Sequence, residues 1–188
     1  MRRELVEEAQ RGDRDAFAAL ASSTASRLDA AARLILRDPD RARDAVQEAL
    51  VRAWRDLPGL RDPDRFEPWL HRLLVRACLD EARRWRRHAI EVDLDAVGAD
   101  AFAVETGAPD RACATRDELE RGFRRLDPES RAAIVLHYYL DLPVPETAAA
   151  LGVPLGTAKS RLHRAVAQLR AALEADARTL RPSEVNRA

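Results

Sequence analysis

Apolar side chains recur every three or four residues through most of the chain, the spacing of helices that bury one face. This spacing predicts a short helix over residues 3–11 and a second helix that follows an N-cap at Asp13 and reaches about Leu36. A third helix starts where Asp38 supplies a cap and a proline takes the first helical position. Its apolar stripe, expected to pack on the other helices, comprises Ala42, Ala45, Val46, Ala49, Leu50, Ala53 and Trp54.

A break and a fourth helix complete the first half. Prolines and a glycine within residues 57–64 predict a loop, and apolar periodicity predicts a helix from about Arg65 to Arg87. That helix ends in a cluster of cations around one indole ring, Arg83, Arg84, Trp85, Arg86, Arg87 and His88. Such a cluster can bind phosphates and stack on a base, or it can be a solvated helix end that the dipole favours, so alone it does not establish nucleic-acid binding.

The second half predicts a helix-turn-helix. A helix capped by Asp127 reaches about Leu140, and a short helix over residues 146–151 stops at Gly152. A long helix then begins near Thr157 with polar and basic residues in its first turns. In a helix-turn-helix, the first turns of the second helix face base edges in the major groove, which requires hydrogen-bonding and cationic side chains. The competing interpretation is an ordinary helical hairpin with a solvated outer face.

Composition supports an all-α fold. With 188 residues, only 7 Gly and 5% aromatic residues, the chain lacks the turns and ring-bearing strands of a sandwich or barrel. Cys78 and Cys113 lie far apart with no CxxC or CxxH nearby, so we interpret them as ordinary thiols and predict neither zinc nor a disulfide. The four histidines are scattered, and no catalytic set is visible. We therefore predict a protein that is not an enzyme and has no metal and no cofactor.

The net charge of zero is unevenly distributed. Residues 1–88 carry a net charge of +3, residues 89–110 carry −6 with no Lys or Arg, and residues 111–188 carry +3. This pattern predicts two basic helical domains at 1–88 and 113–174, an acidic linker at 89–112 and a tail at 175–188. The linker acids are either a solvated tether or a shield for the basic faces.

The chain contains no run of about 18 apolar residues, so the sequence predicts no membrane span. The N-terminal segment is charged and has no apolar core of the kind found in secretory signals. We therefore expect a cytoplasmic protein.

Two stretches carry a family resemblance. The second half contains LDPESRAAIVLHYYLDLPVPETAAALGVPLGTAKSRLHRAVAQLR, which resembles region 4 of bacterial RNA polymerase sigma factors. The first half contains DAVQEALVRAWRDL and FEPWLHRLLVRACLDEARRWRR, which resemble region 2 of the same family. Two such modules with a short linker and no region 3 are similar to the extracytoplasmic-function (ECF, group IV) sigma factors.

The resemblance implies a role for each exposed face. The region 2 helix would dock on the β′ clamp helices of core RNA polymerase through Asp44, Gln47, Glu48 and Arg52. The loop at residues 58–67 matches the family's specificity loop. This loop and the fourth helix would bind melted minus-ten DNA through Arg61, Arg65, Arg76, Arg83, Arg84, Trp85, Arg86 and Arg87. Region 4 would read the minus-thirty-five duplex through Thr157, Lys159, Ser160, Arg161 and Arg164. The implied partners are core RNA polymerase (β′ clamp helices and β flap), promoter DNA and an anti-sigma factor.

Two other classes stay open on the residues alone. A stand-alone helix-turn-helix regulator would use its N-terminal half as a sensor, and a helical adaptor would bind only proteins. The module over residues 40–88 distinguishes a sigma factor from a stand-alone regulator, because a sensor has no need of the DAVQEALVRAW face beside an arginine-ended helix.

Overall fold

A computed structural model describes residues 2–92 and 119–179. These residues form helices joined by short turns, and no strand occurs among them. The helices are α1 (Arg2–Gln10), α2 (Arg14–Leu36), α3 (Pro39–Asp56), α4 (Phe66–Val92), α5 (residues 119–124), α6 (Pro128–Ile134), α7 (Val144–Leu151) and α8 (Leu155–Thr179). The predicted all-α class is confirmed. Across this described part of the chain, no helix is both long and apolar enough to cross a membrane.

Helices α1 to α4 form the first module, and side-chain caps fix where two of them begin. The carboxylate of Asp13 accepts the backbone N–H groups of Asp15 and Ala16 at the start of α2. The carboxylate of Asp38 does the same at the start of α3, where a proline occupies the first turn. Both caps agree with the sequence prediction. The loop between α3 and α4 contains two 3-10 turns, Leu57–Gly59 and Pro63–Arg65.

The second module comprises α5 to α8. Asp127 caps α6 by accepting the backbone N–H of Ser130 at 2.8 Å. The helix then widens into a π turn over Val135–Tyr139, a change of pitch that the sequence did not predict. Gly152 ends α7 in the left-handed conformation, with φ of 67°, as the sequence predicted.

Three helices are longer than predicted. Helix α4 continues to Val92, five residues past Arg87, because no Gly or Pro interrupts the chain there. Helix α7 starts at Val144, since prolines are tolerated in a first turn. Helix α8 spans Leu155–Thr179 and so continues past the last apolar residue of the predicted stripe into the expected tail. The remaining parts of the predicted linker and tail, with Cys113, lie outside the described residues.

The two modules pack on each other, which the sequence did not predict. Helix α4 packs against α7, and α2 packs against α6, so buried residues of both modules form one continuous core. The buried side chain of Arg131 on α6 donates from Nε to the carbonyl oxygen of Ile35, at 2.6 Å, near the end of α2. The same guanidinium donates to the carbonyl oxygen of Leu126 at 2.9 Å. Arg131 therefore ties the start of the second module to the end of α2.

Three arginines of the first module also reach across this interface. Arg37 donates to the backbone carbonyl of Glu120 at 3.0 Å. Arg65 forms an ion pair of 2.8 Å with Glu146 on α7. Arg27 lies 3.5 Å from the carboxylate of Asp141, in the turn before α7. The modules are thus held together by apolar packing and by cations reaching acceptors on the other side.

Candidate nucleic-acid and polymerase interfaces

The start of α8 presents the residues predicted to read duplex DNA. Four of the five side chains, Thr157, Lys159, Ser160 and Arg164, are exposed. Ala158 and Leu162 on the opposite side are buried, so the helix packs through its apolar side and leaves its polar side to solvent. The two sides match the amphipathic pattern in the sequence, and the exposed one has the chemistry for phosphates and base edges.

Arg161 differs from its neighbours because it is half-buried. It lies close enough to Asp127 to contribute to lowering the pKa of that carboxyl group. Burial alone would raise the pKa of Asp127, but hydrogen bonds from Ser130 and the charge of Arg161 outweigh it. The charge of Arg161 therefore acts within the module, on Asp127, in addition to its predicted role in binding DNA.

The arginine cluster at the end of α4 is exposed along its whole length. Two of its guanidinium groups lie near acids one turn earlier: Arg83 is 3.5 Å from Asp80, and Arg84 is 3.5 Å from Glu81. Exposed pairs of this kind contribute little to stability, so both arginines can exchange these partners for phosphates.

The indole of Trp85 lies beneath a cation from another helix. The Cζ atom of Arg41, on α3, is 4.4 Å from the centroid of the Trp85 ring. The indole is nevertheless 43% exposed. Trp85 is thus both held by a cation and open to solvent, whereas Trp69 is half-buried against the core.

The other predicted minus-ten residues are spread over the first module. Arg61 and Arg76 are exposed. Arg65 is exposed as well, but it is the residue paired with Glu146 across the module interface. The structure therefore brings five of the eight predicted residues together at the end of α4 and leaves these three on other parts of the module.

The predicted polymerase-binding residues lie on two stripes of α3. Gln47 and Asp44 are exposed, whereas Arg52 is half-buried. Arg52 donates to the carboxylate of Glu48 at 2.7 Å and to that of Asp80, on α4, at 3.3 Å. These hydrogen bonds raise the pKa of Arg52 and join α3 to α4, so Glu48 and Arg52 have a packing role as well.

An apolar groove beside Gln47 was missed by the sequence analysis. The apolar stripe of α3 divides: its four alanines are buried, but Trp54 is 36% exposed. The groove is lined by Phe17, Arg43, Val46, Gln47, Leu50, Val51 and Trp54. Val51 is 57% exposed, and the ring of Trp54 contacts that of Phe17 at 5.1 Å. The predicted packing of the stripe on the other helices is therefore confirmed, since its alanines are buried and Val46 and Leu50 pack against the core, but Trp54 keeps part of its surface open at the edge of the groove.

No group of three or more His, Cys, Asp or Glu side chains that could hold a metal occurs among residues 2–92 and 119–179. Cys78 is buried, which raises the pKa of its thiol to about 12. This placement agrees with the prediction of an inert thiol.

Comparison with known proteins identifies both modules. The family model of Sigma-70 region 2 matches residues 20–88, and that of Sigma-70 region 4 matches residues 116–169. The RNA polymerase sigma-E factor of Streptomyces avermitilis is 34% identical over 159 residues, covering 83% of this chain and 86% of that protein. The ECF RNA polymerase sigma factor SigM of Mycobacterium tuberculosis is 36% identical over 160 residues, covering 84% and 77%.

Solved structures share the fold. CnrH, solved in complex with the cytosolic domain of CnrY, is 30% identical with a TM-score of 0.63, and the match covers 93% of this chain and 98% of that one. The sigma factor RpoE of Bartonella quintana, solved with the anti-sigma factor NepR, is 24% identical with a TM-score of 0.67, and the match covers 85% and 98%.

Proposed function

Because this chain belongs to the sigma-70 family, within its extracytoplasmic-function group of sigma factors, we propose that it directs core RNA polymerase to promoters by holding DNA at two surfaces. One surface is the start of α8, and the other is the arginine cluster with the loop before α4. The observation that carries the proposal is the presence of both regions, in order, on one chain whose modules each expose a cationic helix segment.

The start of α8 binds the minus-thirty-five element as duplex. Arg161 and Arg164 are suited to guanine edges or phosphates, and Lys159 holds a phosphate as a point charge. The hydroxyl groups of Thr157 and Ser160 are placed in the same first turns. Exposure of this side of α8 and its packing through Ala158 support the proposal.

The arginine cluster binds the minus-ten element after it melts. Extruding a base costs a few kcal/mol, and phosphate contacts from Arg83, Arg84, Arg86 and Arg87 offset that cost. Arg61 and Arg65, in the loop before α4, and Arg76, within α4, supply separate contacts away from the cluster. The full exposure of the cluster supports this role.

The polymerase docks on the groove of α3. The resemblance implied contacts from Asp44 and Gln47, and the groove adds exposed apolar residues, of which Trp54 is the largest. Aromatic side chains in such grooves supply much of the affinity of protein interfaces, with polar residues at the rim. We assign Gln47 to the rim and Trp54 to the centre of this interface.

The two modules separate when the chain binds a promoter on the polymerase. The names of the two elements put them about 25 base pairs apart, or roughly 85 Å at 3.4 Å per pair. A compact chain of this length has a radius of gyration of about 16 Å, so it is roughly 40 Å across. One compact body therefore cannot cover both elements. The 26 residues between 92 and 119 can span up to about 90 Å when extended, which is enough.

An inhibitory protein partner is part of the proposal. CnrH was solved in complex with the cytosolic domain of CnrY, which supports a similar complex for a chain 30% identical to it. We infer that an anti-sigma factor occupies the groove of α3 or stabilises the packed arrangement, and that the chain acts in the cytoplasm, where the transcription machinery lies. A purified candidate partner should compete with core polymerase for the chain, and a partner that binds without competing would contradict this role.

Transcription with purified components tests the main proposal. Core polymerase alone should give no defined start on a promoter of the native host, and addition of the chain should give one. Arg164→Ala should reduce transcription from promoters that depend on the minus-thirty-five element. The control variant Arg33→Ala, on α2, should leave transcription from these promoters unchanged. Failure of the purified chain to bind core polymerase and to redirect it to any start would overturn the proposal.

A further inference from the structure

We propose that Arg41 is a positioning residue for Trp85 and that the held indole is a stacking platform for one unpaired base of the promoter. This inference rests on the proposed function and adds to it the residue that organises the minus-ten surface. The geometry is a cation–π contact between helices, with the Arg41 Cζ atom 4.4 Å from the ring centroid. That distance lies within the range in which the ring quadrupole attracts a cation.

Arg41 is itself fixed by a second contact. Its Nε donates to one carboxylate oxygen of Asp38 at 2.8 Å, and the other oxygen of Asp38 caps the start of α3. The side chains of Arg41 and Asp38 are only 25% and 14% exposed. Burial would raise the pKa of Asp38, but its hydrogen bonds with Arg41 and the charge of Arg41 lower it, so the pair stays ionised. Asp38 thus holds the guanidinium of Arg41 in place, and that guanidinium in turn holds the indole of Trp85.

The open part of the indole suits a nucleic-acid base. Since the guanidinium covers one side of the ring, the 43% exposure of Trp85 must come from the rest of its surface. Arg84 and Arg86 flank it in sequence, and Arg87 follows; all three are exposed. Aromatic rings beside phosphate-binding cations are how proteins hold single strands, and stacking tolerates any base. A ring already immobilised loses less freedom when a base stacks on it.

Holoenzyme binding to forked promoter DNA tests this role. The DNA has an unpaired non-template strand through the minus-ten element, and the dissociation constant is measured for core polymerase carrying each variant. Trp85→Ala should weaken binding about five- to a hundredfold. Arg41→Ala should weaken it about two- to fivefold, and Arg41→Lys should restore part of the loss. Arg33→Ala, which removes an arginine paired with Asp29 at 2.7 Å on α2, is the matched control and should bind as the wild type.

The double variant separates positioning from a structural role. If Arg41 acts through Trp85, Arg41→Ala should have no further effect in the Trp85→Ala background. An abasic site at one position of the unpaired strand should remove the effect of either substitution. Equal weakening by Arg41→Ala in both backgrounds would overturn the proposal, as would wild-type binding by Trp85→Ala. Either result would leave the proposed function intact as long as the wild-type chain supports promoter-directed transcription. If the wild-type chain does not support such transcription, the proposed function itself is contradicted.

Discussion

Replacing Arg131 with methionine should loosen the interface between the modules. Methionine keeps most of the volume but cannot donate to the carbonyl oxygens of Ile35 and Leu126, which Arg131 meets at 2.6 and 2.9 Å. Hydrogen bonds from a charged donor contribute about 1.5–3 kcal/mol each, so the two contribute roughly 3–6 kcal/mol. Burial, with the nearby charge of Arg37, lowers the pKa of Arg131 to about 10, a cost of about 3 kcal/mol that methionine avoids. The difference predicts a net loss of stability of up to about 3 kcal/mol.

Two assays should detect this change. Urea unfolding gives the loss of stability, and fluorescence energy transfer between a dye on each module gives the separation. If only molecules with separated modules bind polymerase, losing the hydrogen bond from residue 131 to the Ile35 carbonyl should also increase the apparent affinity for core polymerase, by about ten- to a hundredfold at most. Arg33→Met, at an exposed arginine of α2, is the control and should change stability by less than about 0.5 kcal/mol. Unchanged unfolding together with an unchanged dye separation in Arg131→Met would refute the reasoning.

Three further predictions concern single residues. His71 is 4% exposed with no hydrogen-bond partner for Nδ1, and burial, with the charge of Arg27, lowers its pKa to about 4. Because the folded chain resists protonation of this ring, the free energy of unfolding should fall by about 3 kcal/mol as the pH drops from 6.5 to 4. In urea unfolding measured across that pH range, His71→Gln should remove most of this pH dependence. Trp54→Ala should weaken binding to core polymerase about 30-fold in a titration, while the circular dichroism spectrum of the helical fold stays the same. Unchanged affinity would exclude the groove as the docking site. Asp127→Ala removes the cap of α6 and should cost about 1 kcal/mol in urea unfolding, whereas Asp127→Asn should cost much less.

Local signals in the sequence were sufficient for most helices. The caps at Asp13, Asp38 and Asp127, and the stop at Gly152, lie where the structure places them, because each depends on hydrogen bonds or backbone angles within one turn. The ends of α4 and α8 were less predictable, since a helix without a breaker continues as far as its surroundings permit. The exposed polar side of α8 also followed from periodicity alone.

Features that depend on distant residues could not be predicted. Arg131 directly follows the polar first turn of α6 and therefore looks like a solvated surface residue, and nothing near it indicates a carbonyl partner 96 positions away. The groove of α3 was missed for a related reason: Trp54 continues the stripe of its alanines, and only the packing distance of α2 and α4 decides which members are covered. Arg41 and Trp85 are 44 positions apart, so their contact arises from the pairing of α3 with α4.

The ion pair between Arg65 and Glu146 is a reason to expect that the free chain binds DNA weakly although both surfaces are cationic. On the first module, Asp80 and Glu81 lie beside Arg83 and Arg84 in exposed pairs that phosphates can replace at little cost. Arg65 is different, because its partner Glu146 lies on α7, across the module interface. A phosphate that approaches Arg65 must displace Glu146, which happens without cost only after α7 has moved away. We therefore expect module separation and the release of Arg65 to be coupled, so that whatever drives separation also increases the positive charge offered to DNA. Under the proposed function, we expect the affinity to come from polymerase, which would open the chain and hold both surfaces on one template at a high effective concentration.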